Sequence, residues 1–250
     1  MLADQRRVAI LDLVRERGGA SVADLSAALA VSASTIRRDL DALHTTGKLQ
    51  RVRGGGTAEV EIDVESFATV AGRAAGDKDR IGACAAALVP ERAVVILDIG
   101  TTCAAVARHL RGREVTVVTA SLAVVDELRD DRSIELVVLG GLLRPSYLSL
   151  VGSITLDVIS RLNADISFIG TSGVRADGTV LDSTGTEVPI KHAIMERSER
   201  RCLVASTDKF PGSGLLPVCG VDDFTDIVTT APGSISPLAQ LGGRVDVRAV

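Results

Sequence analysis

Two sets of residues in this 250-residue chain have the types and spacing to do recognition chemistry. The first is the run 31–43, Val-Ser-Ala-Ser-Thr-Ile-Arg-Arg-Asp-Leu-Asp-Ala-Leu. Ile36, Leu40 and Leu43 recur at i, i+4 and i+7, the period of a helix with one apolar face. With that face turned inward, Ser34, Thr35, Arg37 and Arg38 fall near the outer N-terminal end. An arginine there can bond a guanine edge bidentately or grip a phosphate, and both options stay open. Ser32, Ser34 and the helix N-terminus can bond phosphate oxygens. Arg51 and Arg53, in an alternating segment closed by Gly54-Gly55-Gly56, can reach a DNA backbone or a minor groove. The partner these residues predict is double-stranded DNA.

The second set consists of small loops that follow apolar runs: Asp98-Ile99-Gly100-Thr101-Thr102, Thr119-Ala120-Ser121, Gly140-Gly141, Gly170-Thr171-Ser172-Gly173 and Ser206-Thr207-Asp208-Lys209. Backbone N–H groups and the Thr101, Thr102 and Ser121 hydroxyls make a candidate phosphate cradle. Asp98, Asp208 and Lys209 are candidates for sugar hydroxyls or for balancing charge. Lys191, on a helix that begins at Glu187, is a candidate cation. No G-x-G-x-x-G turn and no Walker motif is present, which argues against a dinucleotide and against ATP hydrolysis, so no cofactor is expected. Cys84, Cys103, Cys202 and Cys219 form no C-x-x-C pair, and His44, His109 and His192 stand apart, so neither a metal site nor a triad is expected.

The elements that must position these residues follow from periodicity. Helices are predicted over 6–17, over 22–29 with Ser21 as N-cap, and over 34–46, with Gly47 as the stop. A basic strand over 48–53 completes a winged helix-turn-helix. Beyond it, an Ala-rich helix over 77–88 precedes short Val/Ile runs at 93–97, 115–119, 134–139, 166–169, 202–206, 227–230 and 245–250. Helices at 102–110, 121–128, 154–162 and 187–197 lie between them. Such alternation implies parallel strands joined by right-handed crossovers, a Rossmann-like α/β domain. The fold class is therefore α/β, a small winged helix-turn-helix domain over 1–56, a linker over 57–75 and an α/β domain over 76–250. In open sheets of that kind ligands bind beyond the carboxyl ends of the strands, where the second set of residues lies.

Composition agrees. Hydrophobic residues make up 46% of the chain but aromatics only 2%, so the core must be built from Ala, Val, Leu and Ile. That suits helices packed on a parallel sheet. The net charge of −4 hides an asymmetry. Residues 1–56 carry nine Lys or Arg against six Asp or Glu, and the rest carry 19 against 26, giving +3 and −7. A small basic head on an acidic body fits nucleic-acid binding by the head. No run of 18 apolar residues occurs and the N-terminus lacks a signal-peptide pattern, so no membrane partner is expected and the location expected is the cytoplasm.

The motif over 31–43, followed by Gly47, Leu49, Arg51 and the glycine run, resembles the DNA-binding signature of the DeoR family of bacterial transcription regulators. Arg53 stands where that family usually has His, which keeps or adds positive charge. The resemblance continues through Asp98-x-Gly100-Thr101-Thr102, Thr119-x-Ser121-Leu122, Leu139-Gly140-Gly141-x-x-Arg144, Val151-Gly152, Glu187-x-x-x-Lys191 and Asp208-x-Phe210. Ala120 departs from the pattern, where the family often has Asn. The resemblance implies a sensor body similar to ribose-5-phosphate isomerase that binds a phosphorylated sugar or related metabolite in a homodimer or homotetramer. It further implies repression of carbohydrate-metabolism genes. Two alternatives compete for the body. A sugar-phosphate isomerase needs a carboxylate near the substrate carbon, for which Glu187, Asp182 or Asp208 could serve. The isomerases resembled, however, carry an Asp-Gly-Ala-Asp type of loop where this chain has Gly170-Thr171-Ser172-Gly173, so the chain is expected not to be an enzyme. The second alternative is an oligomerisation body without a ligand.

Overall fold

A computed structural model describes residues 3–17, 20–45, 49–52, 55–57 and 66–250. They divide into two compact units, Met1–Asp63 and Val64–Val250.

In the first unit, helix α1 (Ala3–Arg17) is followed by strand β1 (Ala20–Ser21), α2 (Val22–Leu29), α3 (Ala33–Thr45), β2 (Gln50–Val52) and β3 (Gly55–Thr57). Ser21 caps α2 in a reciprocal capping box with Asp24, which satisfies two orphan donors. Ala30, in the left-handed region at φ 53°, turns the chain from α2 toward α3. Ile10, Val14, Leu25, Ile36, Leu40, Leu43 and Leu49 form the core, so the apolar face predicted for α3 does face inward. The strands pair antiparallel in the order β1-β3-β2, the wing sheet of a winged helix. Gly47 and Arg53 lie outside the described residues, and Arg51 is described by its backbone alone, opposite Gly56.

The second unit opens with α4 (Phe67–Gly72), inside the stretch read as a linker, and α5 (Ala75–Ala87). Ser66 caps α4, the Phe67 N–H donates to the Ser146 carbonyl at 2.9 Å, and the Phe67 ring meets Tyr147 edge-on at 6.1 Å. Then follow β4 (Val94–Leu97), α6 (Thr101–Leu110), β5 (Val115–Thr119), α7 (Leu122–Leu128) and β6 (Ile134–Val138). A hairpin of β7 (Leu142–Arg144) and β8 (Ser149–Val151) precedes α8 (Ser153–Ile159) and β9 (Ala164–Ile169). The chain continues through β10 (Gly173–Val174), β11 (Thr179–Asp182), α9 (Val188–Glu196) and β12 (Ser198–Ala205). It ends with β13 (Leu216–Gly220), β14 (Asp226–Thr229) and β15 (Asp246–Ala249).

Seven strands form one parallel sheet in the order β15-β14-β12-β9-β4-β5-β6. The first strand, β4, lies centrally; the chain proceeds outward through β5 and β6, then crosses back to β9 on the other side. The topological switch point therefore falls between β4 and β9. Alternate residues feed opposite layers: Val95 and Leu97 join the α5–α6 side, while Ile96 joins the α8–α9 side. Strands covered on both faces read as continuous apolar runs, which is why periodicity found them. Among the described residues no helix is long and apolar enough to cross a membrane.

Small residues let α5 and α6 approach closely. A Cβ placed on Gly82 would stand 2.7 Å from the backbone C and O of Ala105, so only glycine fits there. Gly82→Val should destabilise the chain by about 1–3 kcal/mol through overpacking. A urea midpoint unchanged from wild type would show that the two helices can part without loss.

Candidate functional site

The candidate DNA-binding face is built on α3. Ser32 is its cap: the Thr35 N–H donates to the Ser32 hydroxyl at 3.3 Å, and that oxygen lies 2.9 Å from the hydroxyls of both Ser34 and Thr35. The three hydroxyls form one cluster at the positive end of the helix. Arg37 and Arg38 are exposed and hold no ion-pair partner among the described residues. Their neighbour Asp39 is buried and paired, receiving Arg6 at 2.5 Å and Arg7 at 3.3 Å. The Arg-Arg-Asp run thus splits by face, its acid tying α3 to α1 and its arginines left to solvent.

In the second unit, the ends of β4 and β9 meet around one lysine. Lys191, buried on α9, pairs closely with Asp98, stands 3.4 Å from Asp182, and donates to the Gly170 carbonyl at 2.9 Å. The Gly170 N–H in turn donates to Asp98 at 3.1 Å. Asp98, Gly170 and Lys191, picked out by sequence, are brought together at the switch point; Asp182 joins them from β11. Burial acts to lower the Lys191 pKa, but the two carboxylates outweigh it and the shift is upward. Lys191 is therefore a fully charged clamp whose charge is already answered. Cys103 lies in the first turn of α6, fully buried, and burial pushes its thiol pKa well up. It is no thiolate nucleophile.

Beside the clamp, Glu187 pairs closely with Arg144 of β7 and accepts from Ser149 at 3.1 Å; Arg144 also lies 3.4 Å from the Thr184 hydroxyl. Tyr147, at the hairpin turn, stands within 3.9 Å of where a Gly100 Cβ would be, and burial pushes its pKa up to about 12. Gly100 itself has φ 104°, a conformation that other residues rarely adopt, and leads directly into α6. The hydroxyls of Thr101 and Thr102 have no hydrogen-bond partner among the described residues and are partly exposed.

Other predicted positions take different places. Ser121 is fully buried, its oxygen accepting the Val124 N–H at 3.4 Å as the cap of α7. Gly140 and Gly141 wrap Thr155, whose hydroxyl donates to the Gly140 carbonyl at 2.7 Å. Gly173 lies against Gly212, a Cβ there falling 2.5 Å from the Gly212 carbonyl carbon. Asp208 pairs with Lys209 at 3.6 Å and accepts from Ser206. Sequence reasoning missed Asp182 as a clamp member, Arg144 and Ser149 as partners of Glu187, and Lys78. Lys78, buried on α5, lines the same cleft as Thr101, and its pKa is lowered by burial and by the nearby charge of Lys209. Its one signal in the sequence is that it is a lysine at the start of an otherwise Ala-rich helix.

Burial, and then the charge of Asp182, pushes the Glu187 pKa from 4.5 up to about 7, against the pull of Arg144. The folded chain thus holds a proton that the unfolded chain releases above about pH 4.5. That contribution to stability is complete below the unfolded pKa and is lost as pH rises through 7. Wild-type stability in urea should fall more steeply between pH 4.5 and 7.5 than that of Glu187→Gln. Equal slopes would show Glu187 ionised throughout.

Comparison with known proteins bears on both units. The DeoR-like helix-turn-helix domain matches residues 6–60, and the DeoR C terminal sensor domain matches residues 73–231. The glycerol-3-phosphate regulon repressor of Haemophilus influenzae is 34% identical over 90% of this chain and 88% of that protein. The repressor of the same name in Escherichia coli is 30% identical over 96% of each. Among solved structures, ribose 5-phosphate isomerase A from Methanocaldococcus jannaschii overlaps 53% of this chain and 52% of that one, at 18% identity and a TM-score of 0.39. Matched in both its head and its body, the chain belongs to the DeoR family of DNA-binding transcription regulators.

Proposed function

We propose that this regulator is a cytoplasmic repressor of carbohydrate-metabolism genes, acting as a homodimer or homotetramer, whose grip on its operator is set by a phosphorylated sugar or related metabolite. The observation that carries the DNA half is the exposed Arg37–Arg38, without an ion-pair partner among the described residues, beside the hydroxyl-capped N-terminus of α3. A recognition helix needs free guanidinium groups and helix-end donors on one face. Two heads per oligomer would address repeated half-sites.

The effector half is supported by chemistry at the switch point. Thr101 and Thr102 begin α6 with free hydroxyls, beside a sheet opening of the kind that takes small ligands. The names of the two repressors above point to a phosphorylated three-carbon regulon, in keeping with an effector of that class.

The isomerase alternative fares worse. Gly170-Thr171-Ser172-Gly173 supplies no carboxylate, and Asp98 and Asp182 are both held by Lys191. Glu187 is held by Arg144 and Ser149. A proton-transfer base must be free to reach its substrate. The body is a sensor, not a catalyst.

A gel-shift titration with operator DNA and a panel of sugar phosphates tests this reading, which fails if no metabolite changes operator affinity. Arg37→Ala should weaken operator binding and lower the slope of log affinity against log salt by about 1 if Arg37 contacts a phosphate. It should leave effector binding intact; loss of both would break the division of labour between the units.

A further inference from the structure

The main sheet has two open edges, and only one of them is guarded. At one edge β15 carries Asp246 and Arg248, paired with each other and exposed, and charge on an edge strand discourages further pairing. At the other edge β6 reads Ile-Glu-Leu-Val-Val and carries a single charge, Glu135, whose carboxylate accepts from the Thr116 hydroxyl of β5 at 3.1 Å. The Leu139 N–H donates to the Thr119 carbonyl at 2.9 Å, so the odd-numbered residues of this strand turn their backbone groups toward β5. Ile134, Leu136 and Val138 therefore point theirs outward, where no described residue bonds them.

Apolar side chains border the same edge. Among the described residues six large apolar side chains are exposed, and four of them, Val138, Leu142, Leu143 and Ile154, come from the end of β6, from β7 and from the start of α8. Gly140 joins them: it lies between Val138 and Leu142 in the chain, and a Cβ on it would stand 3.4 Å from Ile154 Cγ2. Large contiguous apolar surface is rare on a monomer, and beside a bare strand edge it marks an interface.

We infer that this edge is the seat of a second copy of the chain, docked β6 to β6 about a twofold axis. A copy of the same chain is selected because the edge is complementary to itself. With the two strands antiparallel and Leu136 on the axis, Ile134 of each copy lies opposite Val138 of the other, and each Leu136 faces its twin. The outward N–H and C=O groups of these residues then meet as hydrogen-bonded pairs, and none is left over. The charge pattern permits the register: Glu135 falls opposite Val137, so no like charges meet. A contact in which both copies use the same patch closes on itself as a dimer, and a regulator that reads repeated half-sites uses its heads in such pairs. The inference rests on the oligomer reading above and names the face by which the copies join.

The test is analytical ultracentrifugation of the full chain, whose protomer mass is 26.0 kDa. Wild type should sediment at twice that mass or more. Val138→Lys, which places a charge on the bare edge, should halve the mass at the same concentration, and so should the double variant Leu142→Asp/Ile154→Asp. Leu215→Asp, at an exposed apolar residue outside this border, should leave it unchanged. A monomeric wild type overturns both this inference and the oligomer reading. An oligomer that either edge variant leaves intact, or that Leu215→Asp dissociates equally, overturns the β6 face and leaves the oligomer reading standing. Should the variants not fold, hydrogen exchange on the unaltered oligomer decides: the outward amides of Leu136 and Val138 should be as protected as those of Glu135 and Val137, and fast exchange at the outward positions refutes the pairing.

Discussion

Everything in the sensor unit is arranged about the clamp that Lys191 makes between the ends of β4 and β9. A parallel sheet whose connections reverse direction leaves a split where two adjacent strands send their loops apart. In this chain the split is bridged by an ammonium bonded to Asp98 from one side and to the Gly170 carbonyl from the other, with Asp182 as a third support. Such a cluster adds little net stability, because desolvating three charges offsets most of their attraction. Breaking it is another matter. Removing one partner of a buried pair costs about 3–5 kcal/mol, since the remaining charge stays buried. The clamp therefore fixes geometry: it sets where α6 begins and how the Gly100 turn opens.

That arrangement decides which charges are available to a ligand. Two of the residues that chemistry suggests for gripping an anion, Lys191 and the neighbouring Arg144, are closed inside the protein by Asp98, Asp182 and Glu187. The acids outnumber the bases there, and the excess is relieved by the upward shift of Glu187. This corner therefore repels an anion, and the cleft at the start of α6, lined by Thr101, Lys78 and Arg108, also carries Asp126 and Glu127.

Much of this was legible in the sequence where the signal was local. Ile36, Leu40 and Leu43 share a face because a helix repeats every 3.6 residues, and Ser21 with Asp24 caps α2 because they are three apart. The strands of the main sheet stood out because burial on both faces demands unbroken apolar runs. What sequence could not show was what long-range folding brings together. Arg144 and Ser149 reach Glu187 through a hairpin of three-residue strands, too short for any period to register. Asp182 arrives on β11, which pairs with β13 some 35 positions along the chain. Ser121, chosen for its hydroxyl, spends that oxygen on the end of α7 because the position is fully buried. Lys78 is one lysine near the start of an Ala-rich helix, and nothing in the sequence announces its burial or its bond to the Val70 carbonyl.

The energetics of a switch sharpen the same point. Moving an equilibrium between two states from 1:99 to 99:1 needs about 5.5 kcal/mol of differential binding. A charge-assisted hydrogen bond contributes about 1.5–3 kcal/mol, so one such contact falls short and two or three, made in one state alone, suffice. The clamp cannot provide them, because its bonds exist without a ligand. The contribution must come from groups that have no partner in the unliganded chain, and among the described residues these include the Thr101 and Thr102 hydroxyls and the first N–H groups of α6. These groups lie together at one helix terminus. An anion bonded to them in one state alone would act on the sheet opening between β4 and β9, where the clamp fixes the start of α6.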